Sequence, residues 1–296
     1  MLTHGRSKVL TPQRDQRGGF WMNAQVAWLQ ATRALAAATL LCLASSISGQ
    51  ALAGRPCEPE PASTEAVTQG LALAEATRQH LDDSGEQVVI IARAGQGLSS
   101  WGLRWSHLAF AYRDGDGPRS HWRVVHKLNH CGTPQAELYR QGLGPFFLDQ
   151  PFRYEAAVVA LSPEVQARLL PILSDNRAAT RMHQPRYNML AYPWSTRYQQ
   201  SNQWALETLA SAMDPDARTR PQAQAWLRLR GYQPTRLRIG ALTRLGANLT
   251  SANIAFDDHP NEQRFADRID TVTVESVFEW LNRSGLGTEP AIVSSR

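Results

Sequence analysis

The chain has 296 residues, of which 43% are hydrophobic and 19% are charged, and its formal net charge at pH 7 is +5. The first 53 residues hold five of the 31 basic residues and one of the 26 acidic residues, so residues 54–296 carry 26 basic and 25 acidic residues. This balance excludes binding to nucleic acid or to an anionic membrane through overall charge. The 243 residues after position 53 are enough for one large domain.

The N-terminus has the pattern of an export signal. A short segment from Met22 carries one positive charge, residues 34–44 form an apolar run, and an Ala-Leu-Ala motif ends at Ala53. This order predicts cleavage between Ala53 and Gly54 and a periplasmic or secreted protein. The run is too short to remain as a stable transmembrane anchor. We expect translation to start at Met22. The alternative is that residues 1–21 form a cytoplasmic segment and that the apolar run after them is retained as a membrane anchor.

Cleavage would leave two of the three cysteines, Cys57 and Cys131. In an oxidising compartment an even pair of cysteines is most simply a disulfide. Closing a loop of about 75 residues would contribute roughly 4 kcal/mol, less any strain. The alternative, a reactive thiol at Cys131, fits export less well because exported thiols usually pair.

The sequence contains no pattern typical of a metal or phosphate site. Cys131, His130 and His126 are too close together in the sequence for the spacing of zinc ligands. No Gly-rich phosphate loop occurs in the sequence. We therefore expect neither a metal nor a cofactor. Asp257, Asp258 and His259 form an acidic cluster with a histidine, but the proline and asparagine that follow predict a turn.

Hydrophobic periodicity and turn residues predict the secondary structure in chain order. Helices are predicted over 64–81, 162–174, 201–213, 220–229 and 273–281, with a short turn or helix over 187–191. Strands are predicted over 87–92, 105–112, 121–128, 154–161, 235–239 and 269–272, and residues 142–150 are predicted to be a loop with exposed aromatics. Because helices and antiparallel strands are mixed without a β-α-β rhythm, the pattern favours an α+β fold.

Two histidines lie on one predicted β-hairpin, formed by the second and third strands. A hairpin symmetric about Asp116 and Gly117 places His107 directly opposite His126, with Cβ atoms about 4.5–5.5 Å apart. A different loop length would give a different register.

Ser201 stands at the start of the predicted helix over 201–213. At a helix N-terminus the helix dipole favours an anion, and backbone N–H groups can hold a developing oxyanion. A neutral imidazole can take the hydroxyl proton, and a second polar group can orient that imidazole. Ser201, His107 and His126 are therefore candidates for nucleophile, base and orienting residue. The alternative is that Ser201 is an ordinary helix N-cap and the histidines are core residues.

Short motifs around these residues resemble the circularly permuted NlpC-type, papain-like hydrolases. The segment Ser-His-Leu-Ala-Phe-Ala from Ser106 is similar to their histidine strand, and His126 matches the polar residue on their next strand. Tyr187 and Tyr198 precede a helix that begins Ser-Asn-Gln-Trp, in which Ser201 falls at the position of that family's cysteine.

The resemblance covers about residues 87–213 and implies a permuted papain-like core, with a small antiparallel sheet packed on helices. It also implies a hydrolase or acyl transferase that acts on an amide or ester of the cell envelope, in a peptidoglycan peptide or a lipid. Aromatic residues near the site are then expected to line a substrate groove: Trp105, Tyr187, Tyr198 and Trp204. The alternative is that they pack in the core and at its rim.

The serine at the cysteine position separates this chain from the hydrolases that it resembles. A cysteine at a helix start is partly ionised near neutral pH, whereas a serine depends wholly on its base. An imidazole also stabilises a neighbouring imidazolium less well than a carboxylate does. The sequence therefore predicts either a slow amidase or esterase, or a catalytically inactive scaffold used for binding or assembly in the periplasm.

As a whole, the chain after position 53 is similar to one family of exported bacterial proteins, the domain-of-unknown-function family 2145. The similarity rests on an early Cys-Glu-Pro and on the run Tyr-Pro-Trp-Ser-Thr-Arg-Tyr-Gln-Gln-Ser-Asn-Gln-Trp-Ala-Leu-Glu. It implies an exported protein and assigns no activity.

Overall fold

The computed structural model describes residues 61–115, 117–149 and 151–295, without the side chains of residues 118 and 248–250. The predicted leader over 1–53, its cleavage site and Cys57 lie outside the described residues. Export and the disulfide between Cys57 and Cys131 therefore stay predictions.

The described chain alternates between helices and short strands. Its helices are α1 (Thr64–Ser84), α2 (Leu143–Phe147), α3 (Pro163–Ser174), α4 (Asn176–Ala179), α5 (Ser201–Met213), α6 (Arg220–Leu229), α7 (Ala241–Thr250), α8 (Asn261–Phe265) and α9 (Val274–Arg283). Its strands are β1 (Val88–Ala94), β2 (His107–Asp114), β3 (His121–Asn129), β4 (Ala136–Gln141), β5 (Arg153–Ala160), β6 (Thr235–Arg238), β7 (Arg268–Thr271) and β8 (Ala291–Ser294).

Six strands form one antiparallel sheet in the order β4-β3-β2-β1-β5-β8, and β6 and β7 form a separate antiparallel ribbon. All seven residues of β1 are buried. Its unbroken run Val-Val-Ile-Ile-Ala-Arg-Ala suits a strand that is covered on both faces. The sheet is accordingly the middle layer, with helices packed on either side.

One face of this sheet, which we call the α1 face, is covered by α1 and α2. Its core comprises Leu73, Leu81, Val89, Ile91, Ala109, Ala111, Trp122, Val124, Phe146 and Phe147. α1 begins at the N-cap Ser63, whose side chain accepts a hydrogen bond from the N–H of Ala66, and ends before Gly85, whose φ of 72° suits glycine.

The opposite face, which we call the α5 face, is covered mainly by α3, α5 and α9. Its core includes Ile90, Leu108, Phe110, Tyr112, Val125, Leu169, Trp204, Leu209 and Leu281. Because side chains alternate along a strand, β2 sends its odd-numbered residues to the α1 face and its even-numbered residues to the α5 face. This alternation determines which side chains of β2 and β3 can meet a given helix.

The predicted α+β class and antiparallel sheet agree with the structure, whereas the papain-like relationship stays a proposal. The predicted exposed loop over 142–150 is wrong in part. Residues 143–147 form α2, and Phe146 and Phe147 are fully buried under α1. Their aromatic rings fill the α1 face, where apolar burial outweighs the loop-like Gly and Pro composition.

The β6–β7 ribbon has a small apolar cluster of its own. Ile239, Ile254, Phe256 and Ile269 form this cluster, with Leu237 and Met189 packed against it. The ribbon's other face carries Arg236 and Arg238 on β6, paired in register with Asp270 and Arg268 on β7. That charged face borders the cleft described below.

Candidate functional site

His107 and His126 are hydrogen-bonded neighbours on β2 and β3. Nε2 of His107 lies 2.8 Å from Nδ1 of His126. Phe110 pairs with Val125, so the histidines are diagonal neighbours, and the predicted directly facing arrangement is wrong. The register differs from the predicted one by two residues, because the turn after Asp114 is centred one residue later. An even displacement keeps both side chains on the same face of the sheet, so the predicted proximity survives.

The histidine pair lies in the core of the α1 face. His107 is 8% exposed and His126 is fully buried, and their ring centroids lie 6.0 Å and 5.3 Å from that of Phe146. Burial, followed by the nearby Arg93 guanidinium, lowers the pKa of both histidines, that of His126 to about 3. Both rings are therefore neutral at physiological pH, and one ring donates its N–H to the other.

Ser201 is the first residue of α5 and is 7% exposed. Gln200, and not Ser201, occupies the N-cap position, so the ordinary N-cap interpretation does not apply either. The Ser201 hydroxyl lies close to the hydroxyl of Tyr187. Burial raises the pKa of Tyr187, which keeps the phenol protonated and a poor base for serine.

In the described part of the chain, neither histidine is hydrogen-bonded to Ser201. His107 and His126 point to the α1 face, whereas α5 packs on the opposite face, where Trp204 meets Phe110 with ring centroids 6.0 Å apart. A general base must lie within hydrogen-bond reach of the proton that it removes. The structure therefore brings the two histidines together but does not bring Ser201 to them.

The four predicted groove aromatics are core residues. Trp105 is 5% exposed, Tyr187 7%, Tyr198 9% and Trp204 0%. Trp204 lies on α5 and packs against Phe110 of β2, and its indole N–H donates to the carbonyl of Ala179 at 3.4 Å. These rings bury their area in the fold and leave no open aromatic wall, so the predicted groove is not formed by them.

A buried polar network that the sequence patterns did not reveal surrounds α5. Lys127 donates to Gln199 Oε1 at 2.8 Å, and Gln199 Nε2 donates to Glu207 Oε2 at 2.6 Å. Arg220 Nε and Gln224 Nε2 each donate to the Glu207 carboxylate at 2.7 Å. Burial lowers the pKa of Lys127 to about 6. These hydrogen bonds link α5 and the segment before it to β3 and α6, which indicates a structural role.

Asp258 and His259 occupy the predicted turn but are buried. His259 Nδ1 lies 3.0 Å from Asp258 Oδ1, and Nε2 lies 2.9 Å from the carbonyl oxygen of Asp270. The second Asp258 oxygen accepts the N–H of Tyr192 at 2.8 Å. Both ring nitrogens thus contact the fold itself, so this pair fastens the turn to β7.

A cleft of about 560 Å³ lies where α6, α8 and the β6–β7 ribbon converge. Such a volume is in the range of roughly 300–1,000 Å³ that small-molecule sites occupy. Its lining side chains are mostly aromatic, cationic or amide: Trp194, Arg228, Tyr232, Gln233, Pro234, Arg236, Gln263 and Asp270. Sequence analysis did not identify this site, because its residues come from separate elements and form no motif.

The polar groups of the cleft differ in whether they already have a partner within the fold. The Arg228 guanidinium lies over the Trp194 ring, 4.5 Å from its centroid, and within the described residues Arg228 forms no ion pair. Arg236 is held by Asp270 through two contacts of 2.7 Å and 3.1 Å. Gln263 Oε1 is buried and has no hydrogen-bond partner in the described part of the chain. Arg228 and Gln263 are therefore the cleft groups left to a ligand.

Comparison with known proteins identifies a family but assigns no activity. The model of the family described as uncharacterised protein conserved in bacteria (DUF2145) matches residues 80–281. These residues include both histidines, Ser201 and every side chain that lines the cleft. No curated protein and no solved structure matches the chain.

Over 61–115, 117–149 and 151–295, no three His, Cys, Asp or Glu side chains are grouped so that they could hold a metal ion. In the same part of the chain, every helix is too short or too polar to cross a membrane.

Proposed function

The chain belongs to the DUF2145 family of bacterial proteins, and from this premise we propose that it is a non-catalytic ligand-binding domain of the cell envelope. The proposed ligand site is the cleft at Trp194. The observation that carries the proposal is the Arg228 guanidinium, held over Trp194 with its charge unpaired among the described residues. A hydrolase is not proposed, because His107 is hydrogen-bonded to His126 and, among the described residues, neither histidine is hydrogen-bonded to Ser201.

The cleft favours a small ligand that carries a carboxylate. A guanidinium binds a carboxylate through two parallel N–H donors, and stacking on an indole restricts the guanidinium before the ligand arrives. Arg236 adds positive charge, although Asp270 neutralises most of it. Gln263 Oε1 can accept a hydrogen bond from a hydroxyl or amide of the same ligand. An acidic amino sugar of peptidoglycan combines these groups.

The test compares N-acetylmuramic acid with N-acetylglucosamine by isothermal titration calorimetry. These two sugars differ by the lactyl carboxylate, so the difference in affinity isolates the proposed arginine contact. We expect N-acetylmuramic acid to bind about tenfold or more tightly, since hydrogen bonds to charged groups contribute about 1.5–3 kcal/mol.

The matched variants are Arg228→Gln in the cleft and Arg177→Gln, which is exposed on α4. Arg228→Gln should remove the preference for the acidic sugar, and Arg177→Gln should keep it. Equal binding of the two sugars, or a preference that persists in Arg228→Gln, contradicts the proposal.

A further inference from the structure

We propose that the end of the β6–β7 ribbon and the start of α7 form a docking surface for an anionic lipid membrane. We call it the ribbon-end surface and define it by Arg238, Leu242, Leu245 and Arg268. It is separate from the cleft residues Arg228 and Trp194, so it does not depend on the proposed ligand.

The first observation is a pair of like charges in register. Arg238 on β6 pairs directly with Arg268 on β7, and both are exposed. Like charges directly opposite each other in an antiparallel pair are destabilising. Neither arginine forms an ion pair with a described residue, in contrast to the adjacent Arg236, which is neutralised by Asp270. An external anion would relieve this repulsion.

The second observation is the orientation of α7. Arg244 points inward: it is 8% exposed, donates to the carbonyl of Ile239 and contacts Asp267 Oδ1 at 2.7 Å. Leu242 and Leu245 face outward instead, and they are 86% and 58% exposed. Exposed leucines at i and i+3 on one helix are typical of an interaction surface rather than of solvent contact.

The charged and apolar features are adjacent. α7 follows β6 after Ile239 and Gly240, so Leu242 lies four residues after Arg238. The N–H of Ile239 donates to the carbonyl of Asp267, the residue before Arg268, at 3.0 Å. The Asp267 carboxylate is paired with Arg244, so it does not neutralise Arg238 or Arg268.

This combination fits a membrane better than a soluble anion. A phosphate ion would satisfy the two guanidinium groups but would leave the leucines exposed. A bilayer with anionic headgroups accepts both, because apolar side chains enter the interface while cations meet phosphates. Residues 54–296 carry nearly equal numbers of basic and acidic residues, so the composition does not reveal this local cluster of cations, which forms only in the folded chain.

The test is co-sedimentation of the protein with vesicles of phosphatidylcholine alone or with phosphatidylglycerol added. We expect binding only to the anionic vesicles, weakened by added salt. Arg238→Gln combined with Arg268→Gln should reduce the bound fraction at least fivefold, and Leu242→Ser combined with Leu245→Ser should also reduce it. Arg177→Gln should bind like the parent protein.

A stability measurement accompanies each variant. Because the arginine pair is repulsive, Arg238→Gln should leave Tm unchanged or raise it, so lost binding cannot be attributed to unfolding. Absence of binding to anionic vesicles, equal binding to neutral vesicles, or binding unaffected by the arginine variants overturns the proposal. Full inhibition by millimolar inorganic phosphate would assign the arginines to a soluble anion and would also overturn it.

Discussion

The His107 imidazole lies on the α1 face of the antiparallel sheet, whereas the helix that begins at Ser201 packs on the α5 face. His107 packs with His126 and Phe146 under α2, whereas Ser201 begins a helix that packs on the α5 face. The His107 imidazole is hydrogen-bonded to His126, and the Ser201 hydroxyl lies close to the Tyr187 phenol. Residues that resemble a catalytic set in sequence are thus used as two independent structural pairs.

We expect the neighbouring hydroxyls of Tyr187 and Ser201 to share a hydrogen bond that contributes to stability and not to chemistry. Tyr187→Phe and Ser201→Ala should each lower the free energy of unfolding by about 1 kcal/mol, the usual contribution of such a bond. The double variant should cost less than the sum of the two single variants, because they share one interaction. Denaturant unfolding of all four proteins measures this coupling, and strictly additive losses would disprove the contact.

The histidine pair should make stability depend on pH in acid. Burial lowers the pKa of His126 to about 3, below its ordinary 6.5. Between pH 3 and pH 6.5 the unfolded chain therefore binds a proton at His126 that the folded chain does not bind. Stability from this group is complete above pH 6.5 and is lost as pH falls from 6.5 toward 3. His107→Leu combined with His126→Leu should flatten that dependence, whereas His121→Gln on the surface should not. An unchanged slope in the double variant counts against a neutral buried pair.

Lys127 should add a second dependence on pH, at higher values. Burial lowers its pKa from 10.5 to about 6, so between these values the unfolded chain carries a proton that the folded chain lacks. Stability should therefore rise with pH from about 6 to 10.5. Lys127→Met should make this rise shallower, as measured by urea unfolding at several pH values. A steeper or identical rise in the variant contradicts a neutral lysine in the fold.

The Glu207 carboxylate should be essential for stability. Glu207 is fully buried and its oxygens contact Arg220 at 2.7 Å and 3.1 Å. Glu207→Gln leaves the arginine charge buried without its partner, which costs about 3–5 kcal/mol. The exposed pair of Glu164 and Arg168 provides the control, because Glu164→Gln should cost about 0.5 kcal/mol or less. Comparable losses at the two sites would show that Glu207 is hydrated.

Sequence reasoning succeeded where the local pattern alone determines the structure. The predicted helix over 64–81 ends where Gly85 supplies the left-handed residue after α1, and the apolar run of β1 forms the predicted buried strand. The two histidines were predicted to be neighbours, and they are, because an even change of register preserves the face.

Sequence reasoning failed where the result depends on which helix covers which face. The start of α5 and the strand of His107 fit a catalytic arrangement only if α5 packs on the side to which His107 points. That choice depends on long-range packing, here on Phe146 and Phe147 filling the α1 face, in a segment predicted to be an exposed loop. The same limit applies to the cleft, whose residues are gathered from α6, α8 and the ribbon by tertiary contacts.

Covalent labelling of the purified, folded protein with a serine-reactive fluorophosphonate, followed by peptide mass spectrometry, tests directly whether Ser201 is an activated nucleophile. We expect no adduct at Ser201, because its hydroxyl is buried near Tyr187 and is hydrogen-bonded to neither histidine. A trypsin sample in the same reaction verifies the probe. An adduct at Ser201 that disappears in His107→Ala would show that the two residues meet in solution, and it would contradict the account.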